Sequence, residues 1–362
     1  MKNGMPDYLI IEKELREKIE KGEYKSGERI PTEVQLCEKY KVSRITLRKA
    51  LSILEAEGYI YRITGKGTFV IPSEKRDEAK IIKERQKEIK KLNKGVAILV
   101  PCITFTIFSG IVRGAEDYLR EENYHLLLGN YDNNPEKERE YMEMFTERGI
   151  EGFIVSANYF SNQNSYYEEL IKKNIPFVFA DTPLEKFKAD LIATNNIKGA
   201  YLGTKYLISR GCKKIAFLSA LMILYSSERR FMGFRKAMEE GGLKPDEKII
   251  KHGYATEEFG YDSIKEIMKK EKIDGIFSAN EPITVGIVKA LKDMNISKDD
   301  IKIVSFDQPV LPNGTDYDVK LIKQPRYEIG KISAKILLER IKEKKKGINS
   351  IYKEILLEPI IE

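Results

Sequence analysis

The chain has 362 residues, of which 42% are hydrophobic and 33% charged, with a formal charge of +7. That length calls for two or three domains, the composition is that of a packed globular protein, and the mild positive charge permits a polyanionic partner. Two histidines and three scattered cysteines (Cys37, Cys102, Cys212) give almost no material for histidine-based catalysis, a zinc site or a disulfide framework.

In chain order, Tyr8, Ile11, Leu15 and Ile19 make an apolar stripe at helical spacing that stops at Gly22. Thr32 followed by Gln35 is a capping-box pattern and opens a second helix, with Val34, Leu36, Cys37 and Tyr40 available to a core. A turn at Lys41 and Val42 leads to Ser43, an N-cap for a third helix running to Gly58. This helix, in VSRITLRKAL (42–51), divides its faces: Val42, Leu47, Ala50 and Leu51 are core-directed, while Arg44, Ile45, Arg48, Lys49 and Ser52 lie on the other arc. YIYRITGKGTFV then places β-prone residues on both sides of a glycine-containing turn, a hairpin signal. Residues 72–94 are dense in both charges and nearly free of large apolar groups, as in a linker.

From residue 95 the texture changes. GVAILVP, YHLLLGN, GFIVSA, PFVFAD, DLIATN, KKIAFLS, DGIFSAN and IKIVSFD are short apolar runs separated by amphipathic segments, and the pattern restarts near residue 195. Continuous apolar strands alternating with helices indicate parallel sheets covered on both faces. The predicted fold is therefore α/β in its larger part: an N-terminal winged helix-turn-helix (1–71), a linker (72–94), and a region (95–362) of two doubly wound subdomains with a ligand site at the carboxyl ends of their strands. KLIKQPRYEIGKISAKILLERIKE predicts a helix after Pro325 with Ile329, Ile332, Ile336 and Leu337 on its core face.

Two helices joined by a short turn and followed by a hairpin have the dimensions of a major-groove reader, and Arg44, Ile45 and Arg48 occupy the outer N-terminal face, where base edges are reached. A merely solvated basic face is the bland alternative, but the caps, turn and wing all agree with the DNA-binding reading. PTEVQLCEKYKVSRITLRKALSILEAEGYIYRITGKGTFV resembles the DNA-binding domain of the GntR family of bacterial transcription regulators. The resemblance implies a DNA-binding set of Thr32, Glu33, Ser43, Arg44, Ile45, Thr46, Arg48, Gly65 and Lys66. Arg44 and Arg48 meet bases or phosphates, Thr46 a phosphate, and Gly65 and Lys66 lie at the wing tip. GKGT at 65–68 is not a phosphate loop, because its order and spacing are wrong.

The remainder resembles the LacI/GalR family and the periplasmic sugar-binding proteins, through IVRGAEDYLREENYHLLLGNYDNNPEKEREYM, ATNNIKGAYLGTKYLISRGCKKIAFLS, RRFMGFRKAMEEGG and IKIVSFDQ. Such a GntR/LacI fusion resembles the arabinose repressors (AraR) of Gram-positive bacteria, and the LacI family's hinge helix is missing from it. The resemblance implies a ligand set of Phe108, Asp181, Arg230, Asn280, Asp307 and Gln324, joined by Glu281 where many family members have aspartate. Carboxylates, amides and a forked guanidinium suit vicinal hydroxyls, and a phenyl ring gives a flat apolar wall. Taken singly, Asp181 and Asn280 read equally as loop caps, Arg230 as a surface charge at a helix start, and Phe108 as core. Where relatives often place an aromatic two residues after the glycine of HGYATEEFGY, Ala255 stands here beside Tyr254.

The expectation is a cytoplasmic, dimeric repressor of an inverted-repeat operator, released by a small-molecule effector, a pentose such as L-arabinose, with no cofactor, metal or membrane partner. Another sugar or a purine is the alternative effector. An enzyme lacks support: no nucleotide loop, no G-x-G-x-x-G after the first strand, and no nucleophile with a histidine partner. A transport-type binding protein fits poorly with the basic head and with an N-terminus lacking a signal-peptide core.

Overall fold

The computed structural model describes residues 6–63, 67–72, 94–311, 316–348 and 350–362. It divides into two compact units, 1–91 and 92–362.

In the first unit, α1 (Asp7–Glu20), α2 (Glu33–Tyr40) and α3 (Arg44–Ala56) precede an antiparallel pair, β1 (Ile60–Ile63) and β2 (Gly67–Val70). The expected α1 stripe is buried at Ile11, Leu15 and Ile19 against Leu36, Leu47, Ala50, Leu51 and Leu54. Thr32 and Gln35 complete the capping box, and Lys41 takes a left-handed conformation (φ 53°) that ends α2 and sets up the turn. Val34 is a correction: it is 49% exposed, because it falls on the outer arc of a helix only eight residues long whose inner arc is filled by Leu36. The wing residues 64–66 and the linker residues 73–93 lie outside the described residues.

The second unit has two lobes. In the first, β3 (Gly95–Val100), β4 (His125–Asn130), β5 (Gly152–Val155), β6 (Phe177–Ala180), β7 (Asp190–Thr194) and β13 (Glu354–Leu357) form a six-stranded parallel sheet in the order β13-β7-β6-β5-β3-β4. In the second, β8 (Ile215–Ala220), β9 (Ile250–Gly253), β10 (Gly275–Ser278), β11 (Lys302–Phe306), β12 (Val319–Lys323) and β14 (Ile360–Ile361) are ordered β14-β12-β11-β10-β8-β9, with β14 antiparallel. Helices α4 (Thr106–Glu121), α5 (Pro135–Glu147) and α6 (Tyr166–Lys172) cover the first sheet, while α7 (Asn196–Ser209), α8 (Tyr225–Glu240), α9 (Glu257–Lys270) and α10 (Glu281–Asp293) cover the second. Strands β3, β5, β6 and β8 are buried along their whole length, as expected of a parallel sheet with helices on both faces.

The lobes are duplicates in plan but not in sequence continuity. The described chain passes between them at 194–196, 323–326 and 357–360, so the last helix, α11 (Arg326–Lys345), returns to the first lobe. There Ile329, Ile336 and Leu337 are buried and Ile332 is half-buried, as the sequence predicts. It crosses α4 through two glycines: a Cβ at Gly114 would stand 2.0 Å from the Tyr327 carbonyl, and one at Gly330 1.9 Å from that of Ile111. Cys212 is buried, whereas Cys37 and Cys102 are half-buried, and all three are free thiols. No helix among the described residues is long and apolar enough to cross a membrane.

Candidate functional site

On the first unit, α3 carries the expected outward face. Ile45 is 83% exposed, far above what core packing requires of an isoleucine, and Arg44 and Arg48 are exposed beside it. Ser43 Oγ accepts from the Thr46 amide (3.2 Å) and lies 2.9 Å from Thr46 Oγ1, so both hydroxyls are fixed at the helix start. Arg48 Nε donates to Glu33 Oε2 (3.0 Å), tying α3 to the first turn of α2. Thr32 is the N-cap of α2, and Gly65 and Lys66 lie outside the described residues.

The second unit holds a cavity of about 360 Å³ between the carboxyl ends of the two sheets, within the range of about 300–1,000 Å³ usual for small-molecule sites. All seven residues of the expected ligand set (Phe108, Asp181, Arg230, Asn280, Glu281, Asp307 and Gln324) line it. Asp181 follows β6 and Asp307 follows β11, and the two take the same left-handed conformation (φ 71° and 69°). Each donates its amide to the neighbouring strand, Asp181 to Ile192 and Asp307 to Ile322. A non-glycine residue at positive φ is uncommon, and aspartate is among the few that tolerate it. The same device thus turns one carboxyl from each lobe into the cleft.

Arg230 lines the same cavity, 4% exposed on the inner face of α8 and not at the surface. Its Nε donates to Asn196 Oδ1 (2.8 Å), its Nη1 to the Ala279 carbonyl, and its guanidinium carbon sits 3.7 Å from the centroid of Phe306. Burial lowers the Arg230 pKa from its ordinary value, opposed by Asp307 and Asp181. Burial raises Asp307 to about 6, opposed by Arg230 and by a 2.6 Å hydrogen bond from Gln324 Nε2, and burial also raises Asp181. Thr182 Oγ1 donates to Asp181 Oδ2 (3.0 Å), whereas Asp181 Oδ1 is buried with no partner. A buried carboxylate oxygen without a donor is costly, and a ligand hydroxyl would supply one.

The remaining members do more than line a wall. Asn280 precedes α10, yet its side chain caps nothing there: Oδ1 accepts from the Ala220 amide (2.9 Å), which leaves its NH2 to serve as donor. Gln324 Oε1 accepts from Thr194 Oγ1 (2.7 Å), so a residue in one interlobe crossing is joined to the strand end leading into another. Phe108 is 8% exposed and belongs to the first-lobe core while also facing the cavity, so both readings of it hold.

Sequence reasoning missed several participants. Asn196 holds Arg230, and its only signal was the second asparagine of ATNNIKG. Asn158 donates to the Asn133 carbonyl (3.1 Å) and accepts from the Phe160 amide (2.8 Å), which sets Phe160 at the cavity rim. Tyr254 and Ala255, already marked in the sequence as the departure after the glycine of HGYATEEFGY, also line the rim.

Residues 7–70 match the model of bacterial regulatory proteins of the gntR family, and residues 96–345 match that of the periplasmic binding protein domain. The chain belongs to the periplasmic binding protein domain family. In this chain that family's domain follows a gntR-family DNA-binding module. The arabinose metabolism transcriptional repressor of Geobacillus stearothermophilus is 28% identical over 350 residues, 94% of this chain and 92% of its own length. The HTH-type transcriptional repressor PurR of Vibrio atlanticus is 31% identical over 269 residues, 72% of this chain and 79% of its own. Among solved structures, a LacI family transcriptional regulator from Enterococcus faecium with bound ribose superposes with a TM-score of 0.64 at 28% identity, covering 74% of this chain and 97% of that one. With this periplasmic binding protein domain behind a gntR-family module, the chain is a ligand-responsive transcriptional repressor of the LacI/AraR type.

Proposed function

We propose that the protein binds an inverted-repeat operator as a homodimer through α3 and the wing, and that a pentose, L-arabinose, closes the interlobe cleft and releases the DNA. The observation that carries the sugar half is the pair of left-handed aspartates lining one cavity with a buried arginine, one carboxylate oxygen still lacking a donor. Three carboxylates (Asp181, Glu281, Asp307) face one guanidinium in the cavity lining. That imbalance disfavours a phosphorylated sugar and favours an uncharged polyol, which brings many donors without charge. The small cavity and the Phe108 wall suit a monosaccharide, the arabinose repressor matches both domains, and the Enterococcus faecium relative holds ribose, also a pentose.

The sugar shifts the conformational equilibrium only if it binds one arrangement of the lobes better. Donors and acceptors from both lobes converge on the cavity, so a ligand completes its hydrogen bonds only when the lobes are close. β3 begins at Gly95, where the charged linker ends, which routes lobe movement to the DNA-binding module. A dimer doubles the small interface that one such module can offer and matches a two-fold operator.

For the DNA half, Arg48→Ala should weaken operator binding by about 1–3 kcal/mol in a fluorescence-anisotropy titration while leaving thermal unfolding unchanged. The loss combines a missing base or phosphate contact with the exposure of Glu33, its present partner, to the DNA phosphates. Operator affinity equal to wild type would remove α3 from the interface.

For the sugar half, a thermal-shift panel of pentoses, hexoses, sugar phosphates and nucleobases should give its largest stabilisation with L-arabinose, since a ligand that binds the native state stabilises it by mass action. A larger shift with a nucleobase or a sugar phosphate would replace the sugar reading. Binding should also depend on pH. A hydroxyl donating to Asp307 favours its ionised form, so arabinose affinity should hold above pH 6 and fall as pH drops through about 6, where Asp307 takes up a proton. Arg230, Asp181 and Glu281 are the charged groups acting on Asp307. Calorimetric affinities at pH 5 and pH 8 that coincide would exclude Asp307 as a charged acceptor.

A further inference from the structure

The cavity rim carries one contact between the lobes that the ligand set does not explain. Thr106 is the first residue of α4 in the first lobe, and Glu281 is the first residue of α10 in the second. Thr106 Oγ1 donates to Glu281 Oε2 at 2.8 Å. The carboxylate therefore lies at the N-terminus of its own helix and is hydrogen-bonded to the first residue of another, where the partial positive charge of both helices favours it. Thr106 is itself held: its carbonyl accepts from Arg326 Nη1 (3.2 Å), and the Arg326 stem lies against Gly110. Arg326 opens α11 directly after the crossing at 323–326. A hydrogen bond to a charged group contributes more than a neutral one, and this bond exists only when the lobes are close enough to make it.

We propose that Thr106 is a positioning residue that holds Glu281 across the rim, favours the closed cleft and thereby lowers the effector concentration needed for operator release. The glutamate supplies the reach, since an aspartate at 281 is one methylene shorter. This proposal rests on the reading that an effector closes the cleft, but the contact itself requires no particular sugar.

The test pairs Thr106→Val, which keeps the shape and removes the hydroxyl, with Thr106→Ser, which restores it. Spin labels at exposed Glu121 and Lys269, in a full-length chain whose native cysteines are replaced, report the interlobe distance. In sugar-free protein, Thr106→Val should shift the distribution to a more open arrangement, and Thr106→Ser should return it to the wild-type one. With L-arabinose added, Thr106→Val should bind about three- to tenfold more weakly than wild type, and Thr106→Ser close to wild type. Identical sugar-free distributions for wild type and Thr106→Val would overturn the proposal, as would a Thr106→Ser variant as open as Thr106→Val. If L-arabinose moves none of the distributions, the sugar reading fails, and the sugar-free comparison still decides the role of Thr106.

Discussion

Asp307→Asn should abolish the response to sugar and make the folded protein more stable. The two effects have one cause. Burial holds the Asp307 carboxyl at about pKa 6, so at pH 7 the folded state carries a charge in a place that penalises it. For an acid raised in the folded state, the penalty is absent below its unfolded pKa of about 4, grows as pH rises to about 6, and is constant above that. An asparagine removes the charge, tolerates the left-handed backbone and keeps an acceptor for Gln324. Denaturant unfolding should therefore show a gain of about 1–3 kcal/mol at pH 7 that vanishes near pH 4. Arabinose affinity should fall at least about tenfold, because a charged acceptor becomes a neutral one whose amide donors face hydroxyl groups. A variant that is less stable at pH 7, or that still releases operator at wild-type sugar concentrations, would mean that Asp307 is a structural carboxylate.

Arg230→Met should do the reverse, costing stability as well as function. Methionine keeps the stem and leaves a polarisable group over Phe306, so the change isolates the guanidinium. Without it, Asn196 Oδ1 and the Ala279 carbonyl lose their donors, and Asp181 and Asp307 lose the only cation among the residues lining the cavity. Removing one partner from a buried charge cluster costs about 3–5 kcal/mol, and that loss should appear in denaturant unfolding at pH 7. It should shrink at low pH, where both carboxyls are neutral. Arabinose binding should be undetectable by calorimetry. A loss below about 1 kcal/mol would show that the two aspartates do not depend on Arg230.

Much of this is legible in the sequence alone. Each of the eight apolar runs became a strand; most are buried on both faces, which makes a strand a continuous apolar run, while β4 is a partly exposed edge strand whose three leucines give the same signal. Strands β9 (IKHG), β12 (VKLIK) and β13 (EILL) are not marked by an apolar run, since they are short, only partly buried and carry charged or polar residues, and β13 owes its pairing to β7, far back in the chain. β14 has only two residues and joins the second sheet from the far C-terminus. The headpiece was legible through its caps, which are local: Thr32 with Gln35, and Ser43 with Thr46. Val34 was misplaced because a helix of two turns gives too short a period to fix its face. In the cleft, PFVFAD and IKIVSFD end in the two aspartates, but nothing in sequence fixes a left-handed φ or brings residues 181 and 307 to the same arginine. Asn196 was invisible for the same reason: its task is to accept from Arg230, thirty-four residues away, and that depends on how α7 and α8 pack.

The central claim is that a pentose in the cleft lowers affinity for DNA, and a titration of L-arabinose into the complex of full-length protein with a labelled inverted-repeat operator tests it most directly. Anisotropy should fall to that of free DNA, with operator affinity reduced five- to 150-fold, roughly 1–3 kcal/mol of coupling, and operator should reciprocally weaken arabinose binding by the same factor. An anisotropy that stays constant or rises at saturating arabinose would contradict the account.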